Sequence, residues 1–275
     1  MTFSSTAVMR FVRADRPAGA PIIEFRRVLK RYGSHRVLDE VDLAVHRGEV
    51  LVILGGSGTG KSVSLRHMNG LEQPDSGEVW VEGVEVSRLP EEELVPIRKK
   101  VGMLFQGGAL FDSMTVFENI AFALREHTSW SEERISARVG EVLGFVNLGR
   151  DVERLLPSSL SGGMKKRVSL ARTVALKPEV LLYDEPTTGL DPVTSMTINR
   201  LIVDLNERLA TTSVVVTHDI VSTLFVADRI AFLQNGRFVF VGTPEEARAA
   251  DVPDLRAFLA AGEAPGMATP KGVLP

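Results

Sequence analysis

Residues 50–62 read VLVILGGSGTGKS, and the reading of the whole chain turns on them. Val50–Leu54 is an unbroken apolar run of the length expected for a strand covered on both faces. The next residues, Gly55, Gly56, Ser57, Gly58, Thr59, Gly60, Lys61 and Ser62, fit the phosphate-binding pattern G-x-x-x-x-G-K-[ST], and Val63 follows in the helix that this pattern needs behind it. Glycines let successive N–H groups turn inward onto phosphate oxygens, while the following helix presents the positive end of its dipole. Lys61 then reaches the outer phosphates and Ser62 a Mg²⁺ ion. A flexible Gly-rich turn is the plain alternative, and the strand and helix flanks weigh against it.

Outward from this loop the chain alternates between strands and helices. Upstream, apolar segments of strand length fall at 22–25, at the alternation Val41, Leu43, Val45, and downstream at 79–81. A further strand is expected at 101–105. At Thr115 the pattern changes: Thr115 and Glu118 have capping-box spacing before Ile120 and Leu124. Ser129 and Glu132 repeat that spacing before Ile135, Val139, Val142, Leu143 and Val146, which share one helical face. This is a helical insert, and buried strands resume at 180–183, 214–217 and 229–233 with helical stretches between them. The expected fold is α/β with parallel strands, and ligands belong at the strand ends. Residues 1–21 show no period and read as a mobile arm, and 262–275, rich in Gly, Ala and Pro, as a tail.

Two more segments carry chemistry. The strand 180–183 ends in Asp184 and Glu185, and in a nucleotide site such a pair divides the work: one carboxylate holds Mg²⁺ and the other polarises the attacking water. On its own, a buried strand meeting an acidic turn is common; the phosphate loop upstream reverses that preference. Residues 160–164 read LSGGM, with Ser161 placed to cap a helix bearing the stripe Val168, Ala171, Val174, Ala175. The Ser161 hydroxyl, the Gly162 and Gly163 amides and the helix dipole form a second anion-binding arrangement.

The phosphate loop, LSGGM, Asp184–Glu185, Gly189-Leu190-Asp191 and a strand-end His218 occur in the chain order of ATP-binding cassette ATPases, and the chain resembles that family over about 22–243. The resemblance implies a P-loop ATPase core with an antiparallel β subdomain and a helical signature subdomain. It divides the chain into an arm at 1–21, an ATPase domain at 22–248 with the helical part at about 107–177, and a C-terminal helix and tail at 249–275. It also implies ATP and Mg²⁺ as cofactors. Two copies sandwich two ATP molecules, each held by the phosphate loop of one and the signature (Ser161, Gly162, Gly163) of the other. Tyr32 matches the adenine-stacking aromatic, though a plain surface Tyr is the alternative. Gln106 matches the glutamine that touches Mg²⁺ and the attacking water, Asp191 the loop that communicates across the dimer, and His218 the γ-phosphate histidine. Gly56 stands where many relatives have Pro, and Met164 where most have Gln.

Residues 105–122, FQGGALFDSMTVFENIAF, together with LSGGMKKRVSLAR, resemble the ATPases of Mla-type, Mce-associated phospholipid transporters. That resemblance implies a peripheral subunit on the cytoplasmic face of the inner membrane, docked on a separate integral membrane permease. It allows an Mce-domain lipid carrier and a small cytoplasmic accessory protein as further partners. The insert carries more apolar residues than one helix on a sheet edge requires, among them Leu110, Phe111, Met114, Val116, Phe117, Ile120, Phe122 and Leu124. Some of them, Phe111 and Phe117 first, are expected to line a groove for a permease helix.

Composition sets the outer limits. Lys plus Arg number 32 against 35 Asp plus Glu, a balance of −3 with no electrostatic footprint for nucleic acid. With no Cys, a thiolate metal site and a cysteine nucleophile are excluded, and an intracellular home is the simplest expectation. The longest stretches without Asp, Glu, Lys or Arg, 50–60 and 101–111, fall short of the roughly 20 apolar residues that cross a bilayer. No apolar run of signal-peptide length accompanies Arg10, Arg13 and Arg16, so export is not expected. A soluble cassette ATPase acting on DNA or ribosomes would need a long coiled coil between loop and signature, or a second cassette. An ATP-holding scaffold is disfavoured by Lys61, Glu185 and His218, and a GTPase or kinase leaves LSGGM unexplained.

Overall fold

The computed structural model describes residues 19–262. Most of the arm and nearly all of the tail lie outside the described residues. Four strands form one antiparallel sheet in the order β2-β1-β4-β5: β1 (Ile23–Tyr32), β2 (His35–Val45), β4 (Ser76–Val81) and β5 (Val84–Glu85). Six more form a second sheet, with β3 (Val50–Leu54), β6 (Val101–Leu104), β7 (Val180–Asp184), β8 (Thr212–Thr217), β9 (Arg229–Gln234) and β10 (Arg237–Gly242) in the order β10-β9-β3-β8-β7-β6. β9, β3, β8, β7 and β6 are parallel, and β10 closes the edge antiparallel to β9. This bears out the α/β cassette architecture, with β10 and the short β5 added to the expected strands.

Side chains on successive strand residues point to opposite faces, and the two cores divide on that period. Val50, Val52 and Leu54 of β3 pack with Leu181 and Tyr183 of β7, Val215 of β8 and the helices. Leu51 and Ile53 pack with Leu182, Val214 and Val216 against Ile23, Phe25 and Val28 of the antiparallel sheet. A sheet buried on both faces explains why its strands read as continuous apolar runs rather than alternations.

The helices are α1 (Lys61–Met68), α2 (Glu91–Lys100), α3 (Val116–His127), α4 (Glu132–Phe145), α5 (Gly162–Val174), α6 (Pro192–Leu209), α7 (Ile220–Val226), α8 (Pro244–Ala249) and α9 (Pro253–Gly262). α3 starts in the expected capping box: Thr115 Oγ1 accepts from the Glu118 amide and the Glu118 carboxylate accepts from the Thr115 amide. The expected Ser129–Glu132 box does not form. Ser131 caps α4, accepting from the Arg134 amide. Glu132 instead takes a two-pronged pair from Arg125 of α3, at 2.9 and 2.7 Å, and cannot also turn back to a cap. The expected α4 face, Ile135 through Val146, is buried as read.

His67, 1% exposed on α1, is a buried titratable group away from the strand ends. Its Nδ1 lies 2.7 Å from the Val63 carbonyl, which only accepts, so Nδ1 carries the proton and the buried Nε2 has no partner. Burial holds its pKa below the ordinary 6.5. The unfolded chain therefore takes up a proton near pH 6.5 that the native chain refuses until lower pH. This group's stability is complete above that pH and drains as pH falls, at up to about 1.4 kcal/mol per pH unit. Urea midpoints measured from pH 7.5 to 5.5 should show this slope, and His67→Leu should flatten it. An unchanged slope in the variant would mean that His67 is not its source.

Candidate functional site

The C-terminal end of β3 runs into the phosphate loop. Its conformation demands glycine at two places in particular. A Cβ on Gly55 would stand 2.5 Å from the Leu233 carbonyl oxygen, and Gly60 has φ +103° with Val37 2.8 Å from any added Cβ. α1 begins directly after Gly60, without a side-chain cap. Its first-turn amides, those of Lys61, Ser62 and Val63 among them, have no partner within the helix by geometry, which leaves them available to an anion. Tyr32, His35, Val37, Gly58, Gly60, Lys61, Ser62 and Val63 line one open cleft of about 250 Å³. Tyr32 is thus on the same cleft as the phosphate loop, 47% exposed, with its hydroxyl donating to Glu72.

β7 lies beyond β8 from β3 and delivers its carboxylates to the same edge. Ser62 Oγ donates to Asp184 Oδ1 at 2.7 Å. Lys61 Nζ donates to the Gly55 and Gly56 carbonyls at 2.9 and 2.8 Å and stands 3.8 Å from Glu185 Oε1. Burial pushes its pKa down, and Glu185 and Asp184 offset part of that push. His218, at the end of β8, sets Nδ1 2.9 Å from Glu185 Oε1. A carboxylate only accepts, so Nδ1 carries the proton in this contact. Thr188 and Thr217 hydroxyls donate to Glu185 Oε2 at 3.0 and 3.4 Å. Glu185 itself has φ +47°, a left-handed conformation that costs a non-glycine residue roughly 1–2 kcal/mol, and its amide donates to the Val216 carbonyl at 2.9 Å. Strain of this kind persists where surrounding bonds over-determine it.

Among the described residues no three His, Cys, Asp or Glu side chains gather into a protein-only metal cage. Ser62 Oγ with Asp184 Oδ1, one hydroxyl and one carboxylate, is the kind of donor set Mg²⁺ accepts when phosphates and water complete its octahedron. The site residues therefore fit a Mg²⁺-nucleotide.

Gln106 lies just past the end of β6, on an exposed loop. β6 ends at Leu104, Phe105 is 38% exposed, and the Gln106 side chain is exposed. What ties this loop down is the Gln106 backbone carbonyl, which accepts from Lys166 Nζ. Lys166 and Glu72 were not singled out by sequence pattern. Lys166, Ser169 and Leu170 sit at i, i+3 and i+4 and are all buried, a second face of α5 that the signal Val168, Ala171, Val174 overshadows.

The signature packs elsewhere. Ser161 caps α5, accepting from the Met164 amide, and both Ser161 and Gly162 are exposed. A Cβ on Gly162 would meet Leu190 at 3.6 Å and one on Gly163 would meet Thr194 at 2.6 Å. Asp191 caps α6 through the Val193 and Thr194 amides, both at 3.0 Å, and Val193 beside it is 78% exposed. Signature and 190–194 segment thus form one exposed surface. In the insert, Phe111 and Phe122 form an exposed ring pair with centroids 5.3 Å apart, and the Arg172 guanidinium lies over the Phe111 ring. Phe117, the other residue expected in the groove, is half-buried, packed against the core on one side with Arg125 over its ring.

The family model described as ABC transporter matches residues 38–188. The "Probable ribonucleotide transport ATP-binding protein mkl" of Mycobacterium tuberculosis is 42% identical over 237 residues, covering 86% of this chain and 66% of that protein. The methionine import ATP-binding protein MetN of Carboxydothermus hydrogenoformans is 46% identical, covering 75% and 61%. The chain thus spans just under two thirds of the length of these relatives. The intermembrane phospholipid transport ATP-binding protein MlaF of Escherichia coli is 39% identical over 87% of this chain and 89% of that protein. Among solved structures, the ATP-binding cassette MJ0796, dimeric and bound to ADP and Pi, superposes with a TM-score of 0.75 at 34% identity, covering 80% of this chain and 98% of that one. cbiO1 from Clostridium perfringens gives 0.77 at 27% identity, covering 88% and 100%. With the family model matched over more than half of the chain and a relative 39% identical over most of both chains, the chain belongs to the ABC transporter ATP-binding family.

Proposed function

We propose that this chain binds and hydrolyses Mg²⁺-ATP as one of two copies that share two composite sites, and that it powers a separate membrane permease moving phospholipid or another lipid. The carrying observation is the junction of Ser62 with Asp184 and of Lys61 and His218 with Glu185 at one strand edge. The proposed catalytic unit is 22–248, with the helical part at about 107–177 inserted. Gly55, Gly56, Ser57, Gly58, Thr59, Gly60, Lys61 and Val63 hold the phosphates, Tyr32 the base, and Ser62 and Asp184, with Gln106, the Mg²⁺. The metal neutralises phosphate charge when bound. Glu185 takes a proton from the attacking water, and His218, held by its Nδ1 proton on Glu185, donates to the outermost phosphate from Nε2 in the doubly protonated ring. The exposed face of Ser161, Gly162, Asp191 and Val193 suits burial against a second copy, since an exposed valine beside orphan amides gains from both.

The lipid reading rests on the MlaF-like stretches and on the near-complete coverage of both chains in that comparison. The higher identity to MetN favours, as a second reading, a different cargo on the same motor. No helix among the described residues is long and apolar enough to cross a membrane, so membrane attachment falls to a partner. We place the chain peripherally on the cytoplasmic face of the inner membrane, with an Mce-domain carrier and an accessory protein as further partners and no role for nucleic acid. The Phe111–Phe122 pair is the proposed permease contact. Phe111→Asp with Phe122→Asp should leave a soluble chain that binds ATP normally but no longer sediments with membranes carrying its permease, and phospholipid transfer between vesicles should fall with it. Retained co-purification and transfer would remove this surface from the docking reading. Transfer of methionine or a nucleotide, with none of lipid, would select the second cargo.

A further inference from the structure

Lys166 is a buried cation that the chemistry above leaves without a task. It is 7% exposed, one turn into α5, and its Nζ donates to the Gln106 carbonyl. Burial pushes its pKa down, and the nearby Asp184 and Glu185 partly offset this. The same face of α5 grips the rest of that loop. Arg172 donates to the Gly108 and Ala109 carbonyls, each at 2.8 Å, and Ser169 Oγ would lie 2.6 Å from any Cβ added at Gly108. Lys166 and Arg172 thus hold the carbonyls of 106, 108 and 109, while Ser169, between them on that face and donating to the Lys165 carbonyl, leaves room only for a glycine at 108.

Lysine serves a purely structural tie poorly. Taking an ammonium out of water is costly unless it is fully paired, and an apolar side chain of similar length in such a place is often neutral or stabilising. What an ammonium adds here is a fixed donor for one carbonyl within the field of the two strand-end carboxylates. We propose that Lys166 is a positioning residue for ATP hydrolysis, fixing the Gln106 peptide and so the direction in which the Gln106 side chain leaves the loop, and thereby linking the signature helix to the site at the end of β7. This rests on the reading of Gln106 as part of the ATP site. A shift of α5 then moves Gln106 with it.

The test is steady-state ATP hydrolysis by the full chain, with ATP binding and thermal midpoints measured alongside. Lys166→Met should lower kcat about 10–100-fold, the usual effect of removing an outer-shell partner, with KM and ATP affinity within about threefold. Its midpoint should stay level or rise. Lys166→Arg should recover part of kcat. In combination with Gln106→Ala, Lys166→Met should add little further loss, because the two act through one path. An unchanged kcat in Lys166→Met overturns the proposal. So does a loss that multiplies that of Gln106→Ala, or one that comes with a lowered midpoint and weakened ATP binding. A wild-type chain without Mg²⁺-dependent hydrolysis would instead overturn the proposed function, which keeps the two failures apart.

Discussion

Glu185→Gln is expected to keep ATP bound while hydrolysis slows by about 10²–10⁴-fold, the usual contribution of a positioned general base. The amide keeps the size of the carboxylate: its oxygen can accept from Thr188 and Thr217 in the place of Oε2, and its NH2, in the place of Oε1, can donate to His218 Nδ1 once that ring takes its other tautomer, so the local bonds at 3.0, 3.4 and 2.9 Å have a means to survive. What is lost is the ability to take a proton from water. The ATP-bound dimer should then accumulate, visible by gel filtration with ATP and absent with ADP. Glu185→Ala is a harsher change: it frees Lys61, which stands 3.8 Å from Oε1, and leaves two threonine hydroxyls without their acceptor. Wild-type turnover in Glu185→Gln would exclude Glu185 as the base.

Ser161→Arg should abolish turnover while ATP binding by the separated subunit is spared. The Ser161 hydroxyl accepts from the Met164 amide at 3.3 Å, and the residue is exposed on the face proposed to meet a second copy. Loss of this cap costs roughly 0.5–2 kcal/mol, tolerable for a helix whose Val168, Ala171 and Val174 are fully buried. A guanidinium there instead fills the composite site that this signature completes, and a dimer of two such chains has both of its sites filled. Lys61→Ala acts on the other half of the site and should weaken ATP binding itself, because the ammonium meets the phosphates in the ground state as well as in the transition state. Mixing the two variants forms dimers in which one composite site carries both lesions and the other neither. Activity above either variant alone is the expected result. Activity that never exceeds them counts against shared sites, unless the two sites must fire together.

Several elements were legible before any coordinates. The phosphate loop was, because its function constrains backbone freedom and leaves a dense pattern of glycines. The buried strands 50–54 and 180–184 were, because a sheet covered on both faces needs continuous apolar runs. The Thr115 cap followed the rule, but the α4 cap did not: two serines stood within reach, and the choice of Ser131 depended on Glu132 pairing with Arg125, seven residues back on another helix. β10 was missed although the Asn235-Gly236 turn and the apolar run at 238–241 mark it; as an edge strand it alternates exposed and half-buried residues.

From the sequence alone came the family, the order of the motifs and the identity of nearly every residue proposed to touch nucleotide, since each of these is a local constraint on residue type or spacing. Tertiary structure alone decided which groups meet. Ser62 and Asp184 lie 122 positions apart in sequence, and their contact exists because β7 and β3 flank β8 in parallel register, a pairing no local pattern encodes. Which phenylalanines of the insert face outward was likewise set by how α3 docks on the core. The buried Lys166 that reaches Gln106 from 60 positions away shows its meaning only once the helix lies against the loop, because the free energy of a buried charge depends on what surrounds it and not on its neighbours in the chain.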